Sequence, residues 1–203
     1  MKSLFLGLSL LFSSTSFSQV IGLEQPELMV LYRGYNNKIL VNVPEGSERS
    51  VNDIELQGIN YSAVKANKPG GFIVKPGKGT TTTLTLHTMD GDTLKEIYRA
   101  EYVVRNLPDP ILFWGASKSG VKGSRSSRIL LAKYTPEIPL EANFKVTSWT
   151  LTANGEQASG TGGNLSQAGP IIKKAEPGSQ VAITAVVVGP DGIARSVGGA
   201  WEL

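Results

Sequence analysis

The chain has 203 residues, with 20 basic and 17 acidic side chains, one histidine, no cysteine and a formal net charge of +3. So even a balance, with no dense basic face interleaved with aromatics, argues against a nucleic-acid partner. The absence of Cys excludes disulfides and thiolate metal sites, so stability must come from apolar burial and strand pairing.

At the start of the chain, Lys2 precedes an apolar run from Leu4 to Phe12, broken only by Gly7 and Ser9 and followed by small polar residues to Ser18. That order is expected of a secretory signal peptide over residues 1–18, cleaved between Ser18 and Gln19. The run is about half the roughly 20 residues that a membrane helix needs, and no cysteine follows it to carry a thiol-linked lipid. Removal of 18 residues leaves 185, lowers the formal charge to +2 by taking Lys2, and is expected to give a soluble product without membrane insertion.

Beyond the leader, 23 Gly and 11 Pro are spread through the sequence. No window keeps apolar residues at i, i+3, i+4 and i+7 for three turns, so helices should be minor or absent. Alternation with period two appears instead, in Ile39, Val41 and Val43, in Tyr98, Ala100, Tyr102 and Val104, and in Val181, Ile183, Ala185 and Val187. These read as half-buried strands.

Turn chemistry separates them, because Asp-Gly and Asn-Gly pairs tolerate the positive φ that tight hairpins require. Asp90-Gly91 is expected to join a strand near Thr82–Thr88 to one near Glu96–Arg105. Asn154-Gly155 ends a strand from Lys145 to Ala153, in which the apolar face changes between Val146 and Trp149 as at a β-bulge. Asp191-Gly192 joins the strand at Gln180–Val188 to a terminal one. Short strands at such spacing predict an all-β fold.

Between the strands, Asn106-Leu-Pro-Asp-Pro110 places two prolines where no ladder can continue. The expected organisation is therefore a leader at 1–18, a β-sandwich at 19–105, a linker at 106–110 and a second β-sandwich at 111–203. Both sandwiches are near the size of an immunoglobulin-like domain.

Searching for chemistry returns little. His87 lies on an alternating strand beside threonines and reads as an exposed position. Without a Gly-x-Ser-x-Gly elbow it does not belong to a hydrolase triad. Lys75-Pro-Gly-Lys-Gly-Thr80 lacks the spacing of a phosphate-binding loop and reads as a turn. Asp90 and Asp92 supply too few oxygens for calcium. No catalytic residue, metal ligand or cofactor is expected.

Two segments suit interaction instead. From Ile111 to Pro136 there are five basic residues, Lys118, Lys122, Arg125, Arg128 and Lys133, and no acid, which reads either as a solvated loop with a lysine-protected edge strand or as a patch for an acidic partner. Ile111-Leu-Phe-Trp114 reads as a strand buried on both faces, with an exposed docking site as the alternative.

Several segments also resemble a known family. Leu31-Tyr-Arg-Gly-Tyr-Asn-Asn-Lys-Ile-Leu-Val-Asn-Val-Pro44 resembles the opening of the third periplasmic domain of the gliding-motility protein GldM and its relative PorM. Tyr102-Val-Val-Arg-Asn-Leu-Pro-Asp-Pro110 resembles that family's junction into its fourth domain. Asn143-Phe-Lys-Val-Thr-Ser-Trp-Thr-Leu151, Gly178-Ser-Gln-Val-Ala-Ile183 and the Pro190-Asp-Gly192 turn resemble its C-terminal domain. The resemblance covers about residues 25–203 in the family's order and implies two tandem immunoglobulin-like β-sandwiches from a periplasmic stalk. That stalk dimerises and links an inner-membrane motor to an outer-membrane ring in gliding and type IX secretion.

A leader in place of the family's membrane helix and first two periplasmic domains implies a protein that does not itself carry motor motion. The expected function is a non-catalytic adaptor in the periplasm, or associated with the outer membrane or cell exterior. It would bind envelope proteins of a motility or secretion complex, and the resemblance adds a homodimer. The alternative is a secreted adhesin or carbohydrate-binding module on the same architecture.

Overall fold

The computed structural model describes residues 29–40, 51–57, 64–68 and 71–203. The expected leader at 1–18, its cleavage point and the part of the Ile39–Val43 strand beyond Leu40 lie outside them. The chain is all-β, two tandem immunoglobulin-like sandwiches, and the one α-helix among the described residues has six residues.

The first sandwich comprises β1 (Val30–Tyr32), β2 (Asn37–Leu40), β3 (Val51–Gln57), β4 (Val64–Lys68), β5 (Gly71–Val74), β6 (Thr81–Asp90) and β7 (Thr93–Arg105). One sheet has the order β1-β7-β6-β3 and the other β2-β5-β4. β1 runs parallel to β7, Leu31 opposite Val104, and every other pairing among the described residues of this half is antiparallel. Alternate residues face inward, so Leu84 and Leu86 of β6 and Tyr102 of β7 meet Phe72 and Val74 of β5, with Leu31 closing the end. Burying each such side chain is worth about 1.5–3 kcal/mol.

His87 departs from expectation. It is buried, 9% exposed, and Thr85 on the same face is fully buried. β6 is an interior strand between β7 and β3, and on its polar parity Thr85 stands opposite Arg99 and His87 opposite Glu96, long side chains that flank the shorter ones on the same face. Polar residues on a strand indicate exposure only where that face is open.

The second sandwich comprises β8 (Ile111–Trp114), β9 (Ser117–Lys118), β10 (Leu130–Lys133), β11 (Lys145–Ala153), β12 (Glu156–Thr161), a 3-10 turn at Ser166–Ala168 running into α1 (Gly169–Lys174), β13 (Gln180–Val188) and β14 (Ala194–Glu202). Its sheets are β10-β8-β9 and β12-β11-β13-β14. The apolar parity of β13, from Val181 to Val187, packs with Trp149 and Leu151 of β11 against Leu112, Trp114 and Leu130. Ile111–Trp114 is thus a core strand, with Leu112, Phe113 and Trp114 all buried. The β11 register shifts between Val146 and Ser148, the bulge that the change of apolar face indicated.

Each tryptophan N–H finds a carbonyl, as buried indoles require. Trp149 Nε1 donates to the Asn164 carbonyl at 3.1 Å, Trp114 to Ser127 at 3.0 Å and Trp201 to Ser117 at 3.1 Å. Trp114 and Trp201 meet edge to face with ring centroids 6.0 Å apart. Gly160 stands directly opposite Trp149, and a Cβ there would collide with the indole. Glycine at this place makes room for the ring.

The turns differ in kind. Ala153 pairs with Glu156, leaving Asn154 at φ 50 and Gly155 at φ 75, as a type I′ hairpin needs. Asp90 pairs with Thr93, so the central residues are Gly91 and Asp92, one position later than the Asp-Gly pair suggested. Only Gly91 takes positive φ, which matches a II′ turn with Gly first. The loop at 189–193 is longer and closes by Gly192 N–H donating to the Gly189 carbonyl at 3.0 Å.

Candidate partner-binding surface

Residues 106–110 connect the two sandwiches without belonging to a strand, yet they are held by side chains of the second. Arg195 stands opposite Val187 on the inner face of β14. Its guanidinium donates to the Leu107 carbonyl at 2.9 Å and the Ile193 carbonyl at 2.9 Å, and Nε lies 3.2 Å from Asp109 Oδ1. It also pairs with Asp191 through both terminal nitrogens, Nη1 to Oδ1 at 3.0 Å and Nη2 to Oδ2. Leu107 N–H donates to Asp191 at 3.3 Å, and Tyr134 donates its hydroxyl to the Pro108 carbonyl at 2.7 Å. Phe144 closes the cluster, 5.7 Å below Arg195 and 5.2 Å from the Tyr134 ring.

A buried ion pair holds only when its remaining donors and acceptors are met, and this network meets them. Burial alone would raise the Asp191 carboxyl. The Arg195 hydrogen bond, the Ile193 and Leu107 amides and the Arg195 charge outweigh it and hold Asp191 below the usual carboxylate range. Burial pushes the Tyr134 hydroxyl up to about 12.

The first sandwich meets this cluster through the turn after β1. Gly34, at φ +64, approaches the 190–191 backbone so closely that a Cβ would lie 2.6 Å from Asp191 Cα. Arg33 donates to Asn106 Oδ1 at 2.5 Å, to the Gly77 carbonyl at 3.2 Å and to the Gly79 carbonyl. Tyr35 accepts from the Glu141 amide at 3.0 Å, and Lys38 pairs with Glu141 at 3.2 Å. Behind the turn, buried Asn37 accepts from Tyr32 N–H at 2.8 Å and donates to the carbonyls of Tyr32, Tyr35 and Val74 at 2.9, 3.1 and 3.0 Å. Tyr32, Tyr35, Lys38, Leu40, Pro139 and Leu140 help line a cleft of about 480 Å³ beside this contact.

The five basic residues do not form one patch. Lys118 stands opposite Phe113 on β9, and Lys133 lies on β10 with Nζ 4.4 Å above the same ring. Both are exposed, as is Lys122 on the following loop. Arg125 and Arg128 are half-buried: Arg125 donates to the Ala175 carbonyl at 2.6 Å, and Arg128 to the Arg125 and Ser127 carbonyls at 2.7 and 2.9 Å. They tie the loop to itself and to the end of α1, while the three lysines present charge outward.

Among the described residues, no group of three or more His, Asp or Glu side chains is placed to hold a metal ion. No described helix is long and apolar enough to cross a membrane.

Two family models match in succession, the GldM third domain over residues 21–105 and the GldM C-terminal domain over 108–199. The chain belongs to the GldM family. A search of curated proteins returns no match. GldM domains are periplasmic parts of an envelope complex, and the family places this chain among components of the gliding-motility and type IX secretion machinery. The two GldM models adjoin where Arg33 and Arg195 converge on Asn106 and Leu107. The sequence reading did not find this cluster. Its signals were Arg195 at an inward position of β14 and an acid four residues earlier in a turn.

Proposed function

We propose that the chain is an exported, non-catalytic adaptor that binds other proteins of a gliding-motility or type IX secretion envelope complex and associates with itself. The observation that carries the reading is the pairing of third and C-terminal GldM domains in family order. The buried network at residues 106–110 supports it, because a protein that bridges partners benefits from a fixed relation between its two halves. Residues 1–18 act as the export signal, 19–105 and 111–203 are the two domains and 106–110 is the connection between them.

Within this reading, the outward charge of Lys118, Lys122 and Lys133 meets an acidic envelope partner, while Arg125 and Arg128 shape the loop that carries Lys122. Charge complementarity of this kind acts mainly on association rate and weakens with salt. The experiment is affinity capture of motility and secretion envelope proteins at low and high salt, with wild type and with a variant carrying Lys118→Glu, Lys122→Glu and Lys133→Glu. Capture of a defined complex component by wild type, reduced in the variant at low salt, supports the reading. Failure of the folded wild type to capture any component overturns it. Equal capture by both proteins removes the lysines from the interface.

A further inference from the structure

β12 is an outer strand of the β12-β11-β13-β14 sheet and has β11 as its neighbour. The type I′ turn at Asn154-Gly155 makes Ala153 and Glu156 a pair that exchanges both N–H···O bonds, and such pairs alternate along an antiparallel ladder. Leu151 with Ala158 and Trp149 with Gly160 are therefore bonded pairs, while Thr152 with Gln157, Thr150 with Ser159 and Ser148 with Thr161 are not. The N–H and C=O groups of Gln157, Ser159 and Thr161 consequently point away from the sheet. All three residues are exposed, and among the described residues none of these backbone groups has a hydrogen-bond partner.

Open edges recruit other strands, and proteins guard them with lysine, proline, bulges or a covering loop. The opposite edge of the same sheet is covered along Ala200–Glu202, where Gly120 N–H donates to the Ala200 carbonyl and Gly123 N–H to the Glu202 carbonyl, both at 2.8 Å, and Ala200 N–H donates to Ser119 Oγ at 3.0 Å. On β10, Leu130 N–H is taken by the Gly163 carbonyl at 2.8 Å. β12 has none of these guards: it holds no lysine and no proline, and its register with β11 runs without a shift. Its one charge, Glu156, stands at the end of the strand and is tied to Lys174 at 3.1 Å.

From this geometry we infer that β12 is a docking strand, and that its occupant is an extended, uncharged segment of a different protein, added to the sheet as a fifth strand. Only a polypeptide backbone presents donors and acceptors at the spacing of the free groups on Gln157, Ser159 and Thr161, which is the basis of strand addition. The side chains define the segment further. On one face its residues stand beside Gln157, Ser159 and Thr161, where a charge finds no counter-ion and Thr or Ser makes a favourable cross-strand pair. On the other face stand Ala158, packed on the core, and Gly160, against which the Trp149 ring lies; aliphatic residues of the segment extend that apolar row. The occupant thus alternates Thr or Ser with Val or Ile over about five residues. The inference rests on the adaptor reading and deepens it by giving one partner a docking mode, at a site separate from the three outward lysines.

Panning a displayed library of random linear peptides, about 12 residues long and so able to span β12, against the full mature chain tests it. Uncharged sequences alternating Thr or Ser with Val or Ile should be enriched, and a synthetic peptide from that pool should slow amide exchange at Gln157, Ser159 and Thr161. Ser159→Pro removes an outward N–H without touching the β11 ladder, a place where edge strands accept proline, and should weaken that peptide by roughly tenfold or more. Ser159→Lys places a guarding lysine on the edge and should weaken it as well, which keeps the test decisive where the proline variant fails to fold. Enrichment of no peptide, or peptides that bind the folded variants as tightly as wild type, overturns the inference. Protection of the three amides that is present without peptide and fades on dilution assigns the edge to a second copy and overturns it too. Envelope capture separates the two readings. A component captured equally by wild type and Ser159→Lys keeps the adaptor reading and overturns β12 as its docking strand, whereas capture of no component with peptide binding intact overturns the adaptor reading and leaves the strand site standing.

Discussion

Arg195 grips Asp191 with both arms of its fork while the same guanidinium holds the backbone of Leu107, so one side chain joins the β13–β14 turn to the chain entering the second sandwich. The Asp191 side chain has 0% exposure and that of Arg195 has 6%. Removing one partner therefore leaves an uncompensated buried charge. Arg195→Met should lower the stability of the second sandwich by about 3–5 kcal/mol. Adding Asp191→Asn should recover part of that loss, a non-additivity that a double-mutant cycle by thermal unfolding will read.

The same pair sets an acid limit. The Asp191 carboxyl is held below its ordinary range, so its stabilisation is complete above the unfolded value near ~3.9 and is lost as pH falls through the lower folded value. Wild-type Tm should fall more steeply below about pH 4 than that of Asp191→Asn. At the alkaline end Tyr134, raised to about 12, works in the opposite sense: its contribution is complete below about 10 and is lost as pH rises through its folded value. Tyr134→Phe should flatten that limb of the Tm curve.

Gly155 sits at φ +75 with open space around it, so backbone conformation alone decides the cost of a side chain there. Gly155→Val should destabilise the second sandwich by about 1 kcal/mol or more. An unchanged Tm would contradict the type I′ assignment.

Asn37 is 8% exposed and joins the turn after β1 to β5. Asn37→Ala would strand the Tyr32 amide and the carbonyls it serves. A loss of about 1–3 kcal/mol is expected, measured as earlier unfolding of the first sandwich and faster amide exchange at Val74.

Arg125 and Arg128 should behave as structural residues. Arg125→Ala removes the donor to the Ala175 carbonyl and should lower Tm, by about 1 kcal/mol in stability. Lys122→Ala, at an exposed position, should leave Tm unchanged. Equal effects from both would show that the loop is not held by its arginines.

Strand positions were legible because period-two alternation states directly which residues face a core. The parity of β13 and the bulge in β11 are written in the spacing of Val181 to Val187 and of Val146 and Trp149. His87 was misread because parity does not report what covers the second face of an interior strand. The Arg195 cluster was not legible, since its partners at 107, 109 and 191 are brought together only by the long-range closure of the sandwich. The basic segment was visible as charge. Its division into lysines that face solvent and arginines that cap carbonyls depends on how the 122–128 loop folds back on itself and, for Arg125, on where α1 ends, which no local pattern encodes.

All three indoles, Trp114, Trp149 and Trp201, lie in the second sandwich, each in a dry and differently walled site, whereas Tyr32, Tyr35, Tyr98 and Tyr102 lie in the first. Light absorbed only by indole therefore reports on one half of the molecule, and tyrosine emission comes mainly from the other. The edge-to-face pair of Trp114 and Trp201 should add an exciton couplet to the far-ultraviolet circular dichroism, where the indole's strong transition lies, that vanishes when the two sheets part. The native chain thus carries its own domain-resolved spectroscopic labels, and the order in which its halves melt can be followed without a single engineered probe.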